Sequence, residues 1–396
     1  MQYKTSFWNY FPFNHLDNEE AIKDWKEMGM NAPMTFHYNP ENDKPEQMLA
    51  LLDGLQREGM QAMVCDVRTR LSTYMKVGEE AFIEGVKAAV KDFGSHPANF
   101  GFYIGDEPGY QDFESAIKAC QIVNKYASHL TNFINMFPYW EDDTFSQEKA
   151  LGAVTTREYK ANLDDFVKRS GVKILSFDCY GQCTYFQKER YRNSYFRNLR
   201  IFGEVARENG IELWVSLLCI GHFSLRVPTA DDMRWQLSTA YAHGATGTQW
   251  FAVYKRGYEG TWRGSPFDEF GNKTETYARL ARETHIFKEC ILPYLEGYKF
   301  DKVWHHDLSV DAGGGIAQFE GLDELKFITY IINPSPVSVT RFVNAEGKVA
   351  YAIVNLNSTE PTKIRARFEG PLSKYNRVAR WCAPGQMVIY MEDAIR

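Results

Sequence analysis

The chain has 396 residues, of which 44% are hydrophobic, 24% charged and 15% aromatic, a balance that excludes a mainly disordered protein. It carries 45 Lys and Arg against 51 Asp and Glu, a net charge of -6 without any basic tract, so electrostatics exclude a nucleic-acid partner. No apolar run reaches the roughly 18 residues of a membrane helix, so no membrane partner is expected.

The chain reads as short apolar runs, each followed by an amphipathic helix. The first run is Ser6 to Tyr10, and Asp17 then caps a helix whose first turn carries Glu19 and Glu20. Ala32 to Tyr38 is the second run, and a helix over Pro45–Glu58 places Met48, Leu51, Leu52 and Leu55 on one face. Ala62 to Val67 is the third, followed by a helix over Glu79–Asp92. Phe100 to Pro108 contains the fourth strand, with a helix over Phe113–Ser128. Asn132 to Phe137, Val172 to Asp178 and Ile211 to Ile220 are the next three strands, with helices over Tyr159–Arg169, Tyr191–Asn209 and Thr229–His243. Gly247 to Tyr254 is the eighth strand, and a last helix runs from Thr274 to Cys290.

About eight β-then-α units over roughly 295 residues imply parallel strands with helical crossovers, and that number favours a closed (β/α)8 TIM barrel over an open sheet. No G-x-G-x-x-G follows the first strand, which argues against a dinucleotide-binding fold. After Pro293 the pattern changes to short alternating strands at Phe327–Ile332, Val337–Val343, Val349–Val354, Ile364–Phe368 and Val388–Tyr390. The expected organisation is a barrel over residues 1–297 and a small all-β sandwich domain over 298–396. That second domain could pack on the barrel, bind sugar or build a homo-oligomer, and the sequence leaves these open.

The N-terminus, Met1 to Ser6, shows no signal-peptide pattern, which predicts a cytoplasmic location. Seven scattered cysteines fit reduced thiols better than a disulfide framework. Cys179 and Cys183 are close in sequence, but no second Cys/His pair stands at zinc-finger spacing, so neither a metal nor a cofactor is expected.

In a barrel of this type the chemistry sits at the C-terminal ends of the strands. The polar groups that fall there are Asn9, His37, Asp66 with Arg68, Asp106 with Glu107, Asn135 with Tyr139, Asp178 with Tyr180, His222, and Gln249 with Tyr254. Any one of them could be a loop residue with ordinary partners; together they describe a polar cup. Asp106-Glu107-Pro108 is the sharpest signal. Two adjacent carboxylates repel when both are ionised, and raising one pKa prepares a general acid. The competing reading is a helix cap. Asp178, two strands further round, is the natural second carboxylate.

The stretch FGFYIGDEP, Phe100 to Pro108, resembles the fourth-strand motif of (β/α)8-barrel glycoside hydrolases, in the large clan that includes the family 42 β-galactosidases. Asn135 to Tyr139, Ile174 to Tyr180, Gly221-His222 with Arg226 to Thr229, and Gly244 to Tyr254 resemble glycoside-hydrolase-like barrels as well. The resemblance covers about residues 5–295 and implies a glycoside hydrolase with Glu107 as the proton donor and a carbohydrate substrate. One departure matters. The clan carries its nucleophile as a Glu at the end of strand seven, whereas LWVSLLCIGHF ends here in His222.

Asp178 could replace it, Asp106 and Glu107 could act on a 2-acetamido sugar by substrate assistance, or a loop group such as Glu259 or Asp268 could swing in. Carboxyls about 5 Å apart predict retention of configuration, and about 6.5–9.5 Å inversion. On this reading Trp250 forms a stacking floor, with Trp8 and Tyr180 as walls, and Trp262, expected to be exposed, forms a platform. Tyr254 completes the strand-end aromatic set. His37, Asp66, His222 and Arg226 would hydrogen-bond hydroxyls. The glycine-rich loop Lys255–Lys273 suits a rim or lid. Two rival readings remain at this stage: a carbohydrate-binding barrel without catalysis, and a metal-dependent barrel hydrolase or lyase using His37, Asp66, Asp178 and His222.

Overall fold

The computed structural model describes residues 2–13, 17–140, 151–184, 188–255, 260–306, 328–332 and 336–396. Eight parallel strands form its centre: β1 (Lys4–Phe7), β2 (Met34–Tyr38), β3 (Ala62–Asp66), β4 (Asn99–Asp106), β5 (Thr131–Met136), β6 (Ile174–Asp178), β7 (Glu212–Leu218) and β8 (Gly247–Phe251). Their hydrogen-bonded order is β1-β8-β7-β6-β5-β4-β3-β2. Between β1 and β2 the ring closes without a regular ladder. The Thr5 carbonyl accepts from the Asn31 and Ala32 amides at 3.1 and 3.0 Å, and the Asn31 side chain accepts from the Thr5 amide at 2.8 Å. The result is a nearly closed (β/α)8 barrel.

The helices around it are α1 (Asn18–Glu27), α2 (Pro45–Arg57), α3 (Leu71–Val77), α4 (Glu79–Phe93), α5 (Phe113–Tyr126), α6 (Thr156–Ser170), α7 (Lys188–Glu208), α8 (Ala230–Ala242) and α9 (Glu275–Cys290). Local chemistry sets their starts. The Asp17 carboxylate accepts from the amides of Glu19 and Glu20 at 2.9 and 3.2 Å. Thr155 with Glu158, and Thr229 with Asp232, form capping boxes. The short helix α3 carries no periodic apolar stripe long enough to read from the sequence, and the β3–β4 connection was expected to hold α4 alone.

The strand pleat divides the core into two. Trp8, Met34, Met63, Cys65, Tyr103, Phe133, Ile174 and Trp214 fill the barrel interior. Phe7, Val64, Phe102, Ile134, Phe177, Val215 and Trp250 belong to the larger cluster between strands and helices. Close packing leaves no room at Gly247, where an added Cβ would lie 2.5 Å from the Trp214 indole.

The C-terminal residues form two antiparallel sheets. One has the order β15-β12-β11-β9 and the other β10-β13-β14, using β9 (Tyr298–His306), β10 (Ile328–Ile332), β11 (Val337–Asn344), β12 (Val349–Asn355), β13 (Thr362–Phe368), β14 (Ala379–Cys382) and β15 (Met387–Tyr390). The sequence pattern missed β9 and β14. β9 is interrupted by Lys299, Asp301 and Lys302, and β14 leaves Arg380 and Trp381 exposed. Trp304, Val339, Tyr351, Ile364 and Phe368 share a separate core between the sheets.

Helix α8 joins the two parts. The Trp235 indole donates to the Leu356 carbonyl at 2.9 Å, and Thr340 Oγ1 donates to the Ala242 carbonyl at 2.8 Å. Gly385 is in such close contact that an added Cβ would sit 2.4 Å from Trp235 Cα. All seven cysteines are free thiols, and among the described residues no helix is long and apolar enough to cross a membrane.

Candidate active site

The C-terminal ends of β4, β5 and β6 bring three carboxylates together. In the parallel register Asp106 on β4 pairs with Asn135 on β5, and Asn135 pairs with Ser176 on β6, two residues before Asp178. The Asn135 side-chain amide nitrogen donates to Asp106 Oδ1 at 3.1 Å and to Asp178 Oδ1 at 2.8 Å. Ser176 Oγ donates to Asn135 Oδ1 at 2.9 Å, which fixes the amide's orientation. The two N–H bonds of an amide diverge at about 120°, so the two carboxylate oxygens they reach are about 5 Å apart.

Glu107 sits one residue beyond. Its backbone N–H continues the ladder by donating to the Asn135 carbonyl at 2.8 Å, yet its φ is +45°. A glutamate in the left-handed region is strained, and such strain concentrates where a side chain must be aimed. Neither Asp106 nor Glu107 caps α5, which begins at Phe113 after a tight turn over Tyr110–Asp112. The helix-cap reading of this motif therefore fails.

Tyr180 reports how close the charges lie. Burial pushes its hydroxyl pKa well above the ordinary value, and the negative charges of Asp178, Asp106 and Glu107 add to that, with Tyr10 contributing as well. Behind the strands, buried Tyr159 is raised by burial and then by Asp178 and Glu107, while its hydroxyl donates to the Phe137 carbonyl.

Aromatic rings face these carboxylates. Tyr180 stacks on Phe251 at 6.0 Å between centroids, and Trp262 meets Phe251 edge-on at 5.2 Å. Tyr10 touches Phe251, Trp262 and His37, and stacks on Trp8 at 6.1 Å. His222 lies 5.3 Å from Phe251 and 6.0 Å from Trp262. Trp8 is buried below Tyr10, where its indole donates to Ser216 Oγ at 3.1 Å. Tyr10 and Phe251 were not singled out from the sequence. Both follow from period two: Tyr10 shares the face of Trp8, and Phe251 that of Gln249.

Four expected site residues lie elsewhere. Trp250 is 0% exposed in the cluster under the helices, because β8 turns Gln249 and Phe251 inward and the residue between them outward. Tyr254 also packs outward; its hydroxyl accepts from the Trp25 indole at 2.7 Å. Asp66 faces the helices and is fully buried against Arg68, at 2.7 Å, which also pairs with Asp92 at 2.8 Å. Arg226 holds the first turn of α8 through both oxygens of Asp232. Trp262 is at the mouth but only 5% exposed, not an open platform. Its loop is stitched to the β7 loop by paired backbone bonds between Gly221 and Arg263 at 2.8 and 2.9 Å. Asp268 accepts from the amides of Phe270 and Asn272 in its own turn. Glu259 lies outside the described residues.

Among the described residues no three His, Cys, Asp or Glu side chains are grouped to hold a metal. The outward turn of Asp66 separates it from His37 and Asp178. A cleft of about 600 Å³ opens between α8, α9 and the β domain, and none of the mouth residues named above lines it.

Solved structures of glycoside hydrolases share this architecture. A β-galactosidase from Marinomonas ef1 superposes with a TM-score of 0.52 at 10% identity, over 74% of this chain and 60% of its own. An endo-β-1,4-mannanase from Thermotoga petrophila gives 0.52 at 7% identity, over 92% of this chain and 97% of its own. A β-galactosidase from Rahnella sp. R3 gives 0.53 at 11% identity, over 76% and 58%. The chain thus spans less than two thirds of the two β-galactosidases. No protein-family model and no curated protein matches the sequence. The class defined by the fold is a nearly closed (β/α)8 barrel followed by a β domain.

Proposed function

We propose that the chain is a glycoside hydrolase acting on a small glycoside or oligosaccharide, with Glu107 as general acid/base and Asp178 as the second carboxylate. The observation that carries this reading is the Asn135 amide, which ties Asp178 and Asp106 together directly beside Glu107. Hydrogen bonds from a neutral amide favour an ionised carboxylate, as attack on an anomeric carbon or activation of water requires. Glu107, aimed by its unusual backbone, then gives its proton to the leaving oxygen. Asp106 holds Asn135 in place from the other side. The rings of Tyr10, Tyr180, Phe251 and Trp262 offer the apolar faces on which a sugar stacks.

Glu107→Gln and Asp178→Asn, assayed on aryl glycosides, test the assignment. Both should lower kcat by several powers of ten with unchanged thermal melting. Loss of the acid should be mildest for the most acidic phenol leaving group. Azide should restore turnover to the Asp178 variant if Asp178 is the nucleophile. Wild-type turnover by either variant would end this mechanism. The strand-seven departure, His222 in place of a carboxylate, favours one rival: a sugar-binding barrel without catalysis. That rival predicts calorimetric binding of sugars and no product from any glycoside.

A further inference from the structure

Two arginines flank the turn after β3 and are treated very differently. Arg68, on the outer face, is paired with both Asp66 and Asp92. Arg70, which opens α3, turns inward. Its guanidinium lies 5.9 Å from the centre of the Tyr103 ring, inside the barrel, and close enough to Cys65 for its positive charge to act on that buried thiol. Arg70 as a whole is half-buried, but its Nε and Nη2 are shielded from solvent and have no hydrogen-bond partner among the described residues. The ring face of Tyr103 offsets part of the cost of burying that charge. It accepts none of the N–H bonds. A guanidinium is a rigid fork of donors matched to a planar anion, and an unsatisfied one destabilises the fold that keeps it.

The mouth is therefore divided by charge. Asp106, Glu107 and Asp178 occupy the β4–β6 side, and Arg70 stands at the end of β3. Tyr103 meets Trp8 edge-on at 5.9 Å, which connects the Arg70 pocket to the aromatic wall. β3 pairs with β4, so Arg70 follows the strand next to the one that ends in Asp106, at the same end of the barrel as a sugar held by the carboxylates.

We propose that Arg70 is the receptor for a carboxylate on that sugar, so that the chain takes uronic-acid glycosides in preference to neutral ones. This rests on the glycoside hydrolase reading for its chemistry, but not for its binding step. The carboxylate enters as an anion and stays one; no bond to it forms or breaks. Its negative charge also explains why a positive group is placed in a mouth otherwise lined by acids.

The test is calorimetric binding of free D-glucuronate, D-galacturonate, D-glucose, D-galactose and D-glucose 6-phosphate to the full chain, to Arg70→Met and to Arg70→Lys. A uronate should bind wild type at least tenfold more tightly than its neutral counterpart, and Arg70→Met should weaken it by about 100-fold. Arg70→Lys keeps the charge without the fork and should fall between them, which also guards against a misfolded Met variant. Neutral-sugar binding should be unchanged by either substitution. Equal binding of charged and neutral sugars, or no uronate binding, overturns the proposal. Arg70-dependent binding of the phosphate ester in preference to both uronates overturns the carboxylate assignment. Faster cleavage of neutral aryl glycosides than of aryl uronides by wild type overturns it while leaving the hydrolase reading intact. Arg70-dependent uronate binding with no aryl glycoside cleaved supports it and removes the hydrolase reading instead.

Discussion

Acid should weaken the junction between the barrel and the β domain through one buried pair, His243 and His305. His243 closes α8 and His305 stands on β9; their Nε2 atoms are 3.0 Å apart. The Thr239 carbonyl lies 2.7 Å from His243 Nδ1 and can only accept, so that nitrogen carries the proton. His243 Nε2 is then the acceptor and His305 Nε2 the donor, and His305 Nδ1 is buried without a partner. Any further proton either sets two N–H groups against each other or sits on an orphan atom. Burial accordingly lowers His243 to about 4, and burial together with His243 lowers His305 well below its ordinary value.

Both folded-state values lie below the unfolded one of about 6.5, so the unfolded chain binds more protons in acid. Stability is fully present above that value and is lost as pH falls toward the folded value. At about pH 5 His243 contributes a loss of about 2 kcal/mol relative to about pH 7, and His305 adds a loss of the same sign. The assay is urea unfolding at these two pH values for wild type and His305→Phe, a ring that suits the neighbouring Phe196 at 5.0 Å. Other titrating groups cancel in the comparison. Wild type should lose more stability than the variant on acidification. An equal loss in the two proteins would refute the reasoning.

Further outcomes follow from the same geometry. Trp250→Ala should cost roughly 3–5 kcal/mol in urea unfolding, because it empties a fully buried site. The glycoside KM of folded Trp250→Ala should stay near wild type, and a large KM change would return Trp250 to the substrate surface. Phe251→Ala, which removes a ring at the mouth, should raise KM by about tenfold with a smaller change in kcat. Asn135→Ala leaves Asp106 and Asp178 without their shared donor and should lower kcat by about 10 to 1,000-fold in steady-state assays. Wild-type kcat in Asn135→Ala would contradict the bridging role. Gly385→Val forces a side chain into the Trp235 backbone, and its effect should appear as a lowered Tm.

The barrel was legible because its signals are local. Apolar runs at strand length, Asp17, Thr155 and Thr229 before amphipathic turns, and Gly at helix ends each specify their own segment. Asp106-Glu107-Pro108 stood out for the same reason. The β domain was less legible: β9 mixes charged and aromatic residues, and β14 is short and mostly exposed, so neither shows clean alternation. The aromatic content was visible, but its division was not. Trp250 and Phe251 are neighbours, and one residue of pleat sends the first under the helices and the second into the mouth.

The amino-acid sequence by itself determined the order of the eight barrel strands, the change to all-β structure after the last barrel helix, and the carboxylates at the ends of strands four and six. Tertiary structure alone decided which side chains meet. Asn135 reaches Asp106 and Asp178 only because three strands align in one register. Arg68 and Arg70 are nearly adjacent, yet one is paired twice outside the barrel and the other faces its interior. Propensity and periodicity act over one turn or one strand, whereas pairing, burial and charge act between segments far apart in the chain.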